Sequence, residues 1–583
     1  MRRWLAMTAA AALIVAAFVS LTPPQRADAA APGPKDAIAV LFSYTWNRIA
    51  QECETTLGPA GYGYVQTSPP QEHAMVPAEG NPWWIYYQPV SYKLESRMGT
   101  EAEFKSMVQR CNAAGVGVIV DAVINHMSGQ TNGGTGWAGT QFQHYDYPGL
   151  YNSSDFHSCR RDIDTYSNRD TVQNCNLVNL SDLDTSKASV QQTIADYLNR
   201  LADIGVKGFR FDAVKHISAS DMSGIWNRVT KKNELYLVQE VIRAAGEPIQ
   251  PEEYTSFGDV HEFAYARKLK EAFGGSRIDW LISGAGIGGT WAGFLQQDDA
   301  AVFVDNHDTE RNGETLSYKN GKSYDLAQTF TLAWPYGSPS IHSGYEFSND
   351  KQPPALTANG RVVDPAPGQN GWTFKHAQND IKNMVGFRVA TYGTDVVNKW
   401  TSADGSALAF GRGSKGFIAI NNGSGDVQRE FTTSLADGIY YNVIKATKTG
   451  NVWSGATVTV AGGKFTATVA GKDAIALHAD ARVTLGCTDS AAPSVPANVK
   501  ATADGTTVTV SWTASTDDCG VAGYDVVRTG GTGGSVTKTV TGTQLADSGL
   551  AQSTSYSYTV RAKDTSAKTS AASTAASATT GTG

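Results

Sequence analysis

Between residues 37 and about 390 the chain repeats one theme, a short apolar strand followed by a polar loop and an amphipathic helix. The clearest strands are residues 37–41, 64–67, 116–120, 208–211, 235–238 and 301–304. Apolar residues recurring three and four apart predict helices over 101–114 and 189–204. Such alternation implies a parallel sheet, because each strand returns through a helix. Roughly eight units suit a closed (β/α)8 barrel better than an open sheet. The expected fold class is α/β, a TIM barrel.

The theme is interrupted between residues 127 and 184, a stretch rich in Gly, Asn, Asp, Ser and Tyr. It is too long for an ordinary loop and predicts an inserted subdomain over the active-site face. Beyond residue 392 the helical signal fades into short runs at 407–410, 416–420, 457–460 and 475–478, which read as an antiparallel β-sandwich. After a proline-marked stretch at 491–496 come alternating strands at 508–512, 523–528 and 555–561, in a region dominated by Thr, Ser, Ala and Val. This last part resembles a fibronectin type III sandwich, with Trp512 and Tyr524 in its core. The expected organisation is an export signal over 1–29, a barrel over 30–392 with 127–184 inserted, an all-β domain over 393–484, and the terminal sandwich over 485–583.

Arg2 and Arg3 precede the apolar run 4–21 and the small-residue site Ala27-Asp28-Ala29, the pattern of a secretory signal. No later stretch approaches the roughly 20 apolar residues a membrane helix needs. The mature chain is therefore expected to be secreted, free of the membrane and monomeric. Lys+Arg 48 against Asp+Glu 55, with no basic patch, argues against a nucleic-acid partner. Six cysteines without a C-x-x-C pair in an exported chain read as disulfides. Nearness in sequence pairs Cys53 with Cys111, Cys159 with Cys175 and Cys487 with Cys519, one of several arrangements that spacing allows.

Four apolar runs end in acids. Residues 116–120 lead into Asp121, then Asn125 and His126; 207–211 lead into Asp212, with Lys215 and His216 beyond. Residues 235–239 lead into Glu240, and 301–304 into Asp305, Asn306, His307 and Asp308. Chemistry in a (β/α)8 barrel sits at the C-terminal ends of its strands. One such acid alone reads as a helix cap or a loop-satisfying group. Four at one mouth are what glycoside hydrolysis requires: an ionised nucleophile, a protonated acid, and charge facing an oxocarbenium-like transition state. Arg210, two residues before Asp212 on the same strand face, would hold that carboxylate ionised. On this reading Asp212 attacks and Glu240 donates the proton.

Residues 121–126 (DAVINH), 208–216 (GFRFDAVKH), 240–242 (EVI) and 303–308 (FVDNHD) resemble the four ordered signature regions of the family 13 glycoside hydrolases. The pattern is most similar to the α-amylase group of animals and actinobacteria, extends to residues 65–70 and 82–93, and covers roughly 36–480. The resemblance implies retaining endo-hydrolysis of α-1,4-glucans such as starch, with Asp212 as nucleophile, Glu240 as acid/base and Asp308 as transition-state stabiliser. It implies that His126 and His307 bond the sugar in the cleavage subsite, that Arg210 partners the nucleophile, and that Lys215 and His216 contact the next subsite. Trp83, Trp84, Tyr87 and Gln88 match the cleft wall, where sugar faces stack on rings; plain core packing is the other reading of the two tryptophans. The resemblance also implies a structural Ca2+ held by the Asn125 amide, the Asp182 carboxylate and the carbonyls near Gln173 and His216, oxygen donors that suit a hard cation. The pairs Cys53–Cys111 and Cys159–Cys175 match disulfides of the family.

One departure concerns chloride. Animal members bind it with the arginine matching Arg210, the asparagine matching Asn306 and a second arginine after a Pro-Tyr-Gly turn. Here Pro335-Tyr336-Gly337 is followed by Ser338, Pro339 and Ser340, so chloride activation is not expected. Two other readings stay open. A transglycosylase would use the same three acids, and a non-catalytic starch-binding protein would keep the aromatic cleft while losing an acid. The terminal domain, with no aromatics beyond Trp512, Tyr524, Tyr556 and Tyr558, reads as a spacer.

Overall fold

The structure is a computed structural model that describes residues 33–483, 491–517, 520–531, 533–564 and 568–581. The expected export signal and the pair Cys487 and Cys519 lie outside the described residues. Spatial clustering divides the chain into two units. The first runs to Ala436 and includes Asn442–Lys445 and Gly463–Ala479; the second comprises Asp437–Tyr441, Ala446–Gly462 and the chain from Asp480 onward.

In the first unit, eight strands form a closed parallel barrel: β1 (Ile38–Leu41), β2 (Tyr64–Thr67), β3 (Gly117–Ala122), β4 (Gly208–Phe211), β5 (Tyr236–Gln239), β6 (Asp259–His261), β7 (Ala300–Phe303) and β8 (Ser338–Ser343). Each strand pairs with the next in sequence, and β8 closes on β1 with Ile38 opposite Ser340. This is the expected TIM barrel. Helices α1 (Trp46–Glu52), α2 (Glu101–Ala113), α3 (Ala188–Ile204), α4 (Ala219–Trp226), α5 (Phe263–Gly274), α6 (Lys322–Ala333) and α7 (Asn379–Thr391) belong to the same unit. Their sequences explain their limits. In α3, Val190, Ile194, Leu198 and Leu201 form one buried stripe, and Gly205 at φ 110° ends the helix in a left-handed cap. A reciprocal Thr100–Glu103 capping box starts α2.

Strands β6 and β8 escaped the hydrophobic pattern for a physical reason. β6 is only three residues, Asp-Val-His, and β8 reads Ser-Pro-Ser-Ile-His-Ser. Two of their buried polar groups are bonded to residues distant in the chain: Tyr236 Oη donates to Asp259 Oδ2 at 2.6 Å, and Ser343 Oγ lies 2.8 Å from His376 Nδ1. Hydropathy does not flag a strand this short or this rich in serine, histidine and aspartate.

Between β3 and α3 the insert carries a ribbon, Gly134–Thr135 paired with Gln141–Phe142, and a short helix, Arg169–Asn174. The Cys159–Cys175 disulfide forms within it, with Cα atoms 4.8 Å apart. Glu72, fully buried after β2, holds the ribbon by accepting from Ala138 N at 2.8 Å and Thr140 Oγ1 at 2.6 Å. The other expected disulfide, Cys53–Cys111, also forms and ties the residue after α1 to α2. C-terminal to the barrel, an antiparallel sheet runs in the order Val396–Thr401, Ala407–Arg412, Gly416–Asn421, Asp473–His478.

The second unit contains a three-stranded sheet (Ala497–Asp504, Thr507–Thr513, Gln544–Asp547) and a four-stranded sheet (Val536–Val540, Val521–Gly530, Ser555–Asp564, Ala576–Thr579). Their shared core holds Trp512 and Tyr524, whose rings meet edge to face at 5.3 Å. The resemblance to a fibronectin type III sandwich placed both residues there.

Candidate active site

Arg210 is the centre of the barrel mouth. It lies in β4, flanked by Phe209 and Phe211, so strand alternation turns it and Asp212 to the same side. Its side chain is 1% exposed, and it contacts three carboxylates: Asp121 Oδ1 at 2.7 Å, Asp212 Oδ1 at 2.8 Å and Glu240 Oε2 at 2.9 Å. Asp121, in β3, also accepts from the Tyr87 hydroxyl at 2.8 Å. After Asp212 the chain turns through Ala213 at φ +53°, a left-handed conformation uncommon for alanine, and the Ala213 N–H donates to Glu240 Oε2 at 3.1 Å.

Arg210 pairs with Asp212 as expected, but the expected asymmetry between Asp212 and Glu240 is corrected here. The guanidinium presents its two Nη atoms in different directions, so one fork grips Asp212 and Glu240 together. Charge therefore does not distinguish the two carboxylates as the sequence reading supposed. Burial raises the carboxyls of Asp212 and Glu240, and Arg210 opposes the rise. Burial and the Asp212 charge push Asp121 up to about 7 against the pull of Arg210. One cation cannot neutralise three buried carboxylates, so the cluster takes up protons as a group.

Asp308 stands at the rim after β7, its side chain 47% exposed, 3.6 Å from His307 Nε2. His307 is sandwiched between Phe42, at 5.0 Å and 8° between ring planes, and Tyr87, at 4.9 Å and 10°. Burial and neighbouring positive charge hold its pKa well down, so the ring is neutral. Burial likewise lowers His126 to about 4, and its Nε2 lies 3.0 Å from the Tyr87 carbonyl. Trp83 stands edge-on to Phe42 and His307, and its Nε1 donates to the Asp350 carbonyl at 2.7 Å. Trp84 is half-buried in the same turn.

Three expected contact residues are engaged within the protein. Gln88 accepts from Ser128 Oγ at 2.9 Å and Gln130 Nε2 at 3.1 Å, tying the strand-end loop to the insert. Lys215 donates to the Ile242 carbonyl at 2.7 Å and pairs with Glu247. His216 Nδ1 lies 2.9 Å from the Val172 carbonyl.

The expected cation ligands come together in two pairs. Asn125 Nδ2 is 3.3 Å from Asp182 Oδ1, and His216 packs on the carbonyl next to Gln173. Asp182 is buried, and burial lifts its carboxyl to about 6; its charge partner is His157, at 2.7 Å. Among the described residues no group of three or more His, Cys, Asp or Glu could hold a metal. A set built mainly on amide and carbonyl oxygens is compatible with that and fits a hard cation. His157 and Phe42 escaped the sequence reading. A histidine in a loop and a phenylalanine at a strand end carry no spacing signal.

The α-amylase catalytic-domain family matches residues 85–449. The chain is 47% identical to the α-amylase of Streptomyces violaceus over 492 residues, covering 84% of this chain and 81% of that one. It is 42% identical to the α-amylase of Tenebrio molitor over 445 residues, 73% of this chain and 92% of the other. Among solved structures, α-amylase I from Eisenia fetida superposes with a TM-score of 0.72 at 35% identity, covering 77% of this chain and 98% of that one. The same agreement holds for a glutamate-to-glutamine mutant of that protein in complex with maltohexaose.

Proposed function

This chain belongs to the α-amylase family of glycoside hydrolases, and from that premise we propose that Asp212, Glu240 and Asp308 carry out its endo-hydrolysis of α-1,4-glucosidic bonds in starch. The supporting observation is the fork of Arg210, which holds Asp212 and Glu240 at 2.8 and 2.9 Å on one guanidinium. Two carboxyls held on one guanidinium are compatible with a retaining pair, whose carboxyls lie about 5–5.5 Å apart, closer than the roughly 6.5–9.5 Å that leaves room for an inverting water. Asp212 attacks the anomeric carbon while Glu240 protonates the departing glycosidic oxygen, leaving a glycosyl ester on Asp212. Glu240 then deprotonates a water that cleaves the ester, so the configuration is retained. Burial raises the carboxyls of Asp212 and Glu240 alike, which lets the pair hold the one proton that Glu240 must donate. Asp308, at the rim, grips substrate hydroxyls and faces the developing positive charge.

Neutral His126 and His307 are hydrogen-bonding partners for the sugar in the cleavage subsite. Trp83, Trp84 and Tyr87 offer faces to sugar rings. Lys215 and His216 border the next subsite. Asn125, Asp182 and the carbonyls of Gln173 and His216 would hold Ca2+. The buried Asp182 carboxylate, beside an amide and a titratable histidine, fits a cation there. Bound, the ion would supply fixed positive charge clamping the insert to the barrel. Two disulfides agree with export into an oxidising exterior, with residues 1–29 as the signal. The domain limits we propose are 30–392 for the barrel, 127–184 for the insert, 393–484 for the all-β part and 485–583 for a fibronectin type III-like sandwich.

The test is incubation with amylose, following iodine colour and reducing ends together, with and without a calcium chelator and beside Asp212→Asn. Rapid colour loss with few reducing ends, abolished in D212N and weakened by the chelator, is the expected result. Colour loss without reducing ends would mean transfer rather than hydrolysis, and an active D212N would overturn the assignment of the nucleophile.

A further inference from the structure

Arg311 lies three residues beyond Asp308, on the short helix Thr309–Asn312. Its side chain is 4% exposed, so it does not open onto the cleft. Its guanidinium carbon is 4.5 Å from the ring centre of Phe347, 4.7 Å from Trp83, 5.3 Å from Phe42 and 5.6 Å from Tyr345. One Nη atom donates to the His307 carbonyl at 2.5 Å and pairs with Glu310, whose buried carboxylate is 3.3 Å from His342.

Two of those rings form the wall of the site. Phe42 stacks face to face on His307, and Trp83 stands edge-on to both. A cation shut among aromatic faces attracts them all, and does so more strongly when desolvated. Its bond to the His307 carbonyl also fixes the backbone directly before Asp308. The planar guanidinium thus touches the ring that lines the cleft, the ring that backs His307, and the peptide that leads to the rim acid.

We propose that Arg311 is a positioning residue that sets Trp83 and the His307–Asp308 segment for substrate from behind the wall. The proposal rests on the assignment of Trp83, His307 and Asp308 to substrate contact. Lysine in its place keeps a charge for Glu310 but has no plane to share among the rings. Preorganisation of this kind acts on substrate binding and turnover together.

The test measures kcat and KM for maltoheptaose hydrolysis by the full chain carrying Arg311→Lys, Trp83→Ala or both, with D212N as reference. R311K should lower kcat/KM roughly tenfold, with KM raised; a merely destabilised enzyme would lose active fraction at unchanged KM. W83A should lower kcat/KM by a similar factor, and the double variant by well under the product of the two, because the hold of Arg311 on Trp83 is then already gone. Wild-type kcat/KM in folded R311K, or losses that multiply fully, would overturn the proposal. If R311K fails to fold, Phe347→Leu, which removes the nearest ring of the cage, is paired with W83A and judged by the same rule. An inactive D212N beside an unaffected R311K would sink this proposal alone, whereas an active D212N would sink the site assignment beneath it.

Discussion

Arg210 carries one positive charge among Asp121, Asp212 and Glu240, all within 2.9 Å of it. Its charge is what opposes the upward push of burial on each carboxyl. Removing it in Arg210→Gln leaves the carboxyls higher still, so Asp212 ionises only at higher pH. The acidic limb of kcat should then move to higher pH, and kcat should fall by about 100-fold or more, since a desolvated electrostatic partner is lost. A kcat–pH profile checks both, and an unmoved acidic limb would show that Arg210 does not tune the nucleophile. The acids themselves were legible because each follows an apolar strand, where a barrel places its chemistry. That Arg210 grips two of them was not, because a strand pattern gives the side a residue faces and not which neighbouring strand ends reach it.

Elements extend the same logic. The insert is tied to the barrel by a few buried polar groups, Glu72 foremost, which accepts from Ala138 N, Thr140 N, Thr140 Oγ1 and Ser91 Oγ. Glu72→Ala leaves those donors unmatched in a buried setting, at about 1–3 kcal/mol each for the worst placed. The variant should be cut faster within residues 127–184 in limited proteolysis, while the barrel core resists; wild-type cleavage rates would show that the ribbon is held by other contacts. Six of the eight barrel strands were readable from their apolar runs. β6 and β8 were not, since one has only three residues and both carry polar groups, among them Asp259 and Ser343, whose hydrogen bonds come from residues distant in the chain. Helices α2 and α3 fell within a residue of expectation because caps and apolar stripes are written locally.

For the whole molecule, the barrel and the residues of its mouth all lie in the first unit, and the terminal sandwich has a core of its own in the second. Trp512, Tyr524, Tyr556 and Tyr558 are all buried in that core, which leaves none of them as an exposed sugar-stacking face. Deleting residues 488–583 should therefore leave kcat on soluble amylose within about twofold, given that each unit buries its own apolar surface. A large loss of adsorption to granular starch in the truncated protein would instead give the domain a binding role. What the sequence by itself determined is the barrel and the order of its acids, because periodicity, capping and motif spacing act over neighbouring residues, while the two disulfides and the core of the sandwich followed from the family resemblances. Only the tertiary structure decided that one guanidinium joins Asp212 and Glu240, that His307 is stacked between Phe42 and Tyr87, and that Arg311 sits behind Trp83. Those contacts join residues far apart in the chain, and only closing the barrel puts them within bonding distance.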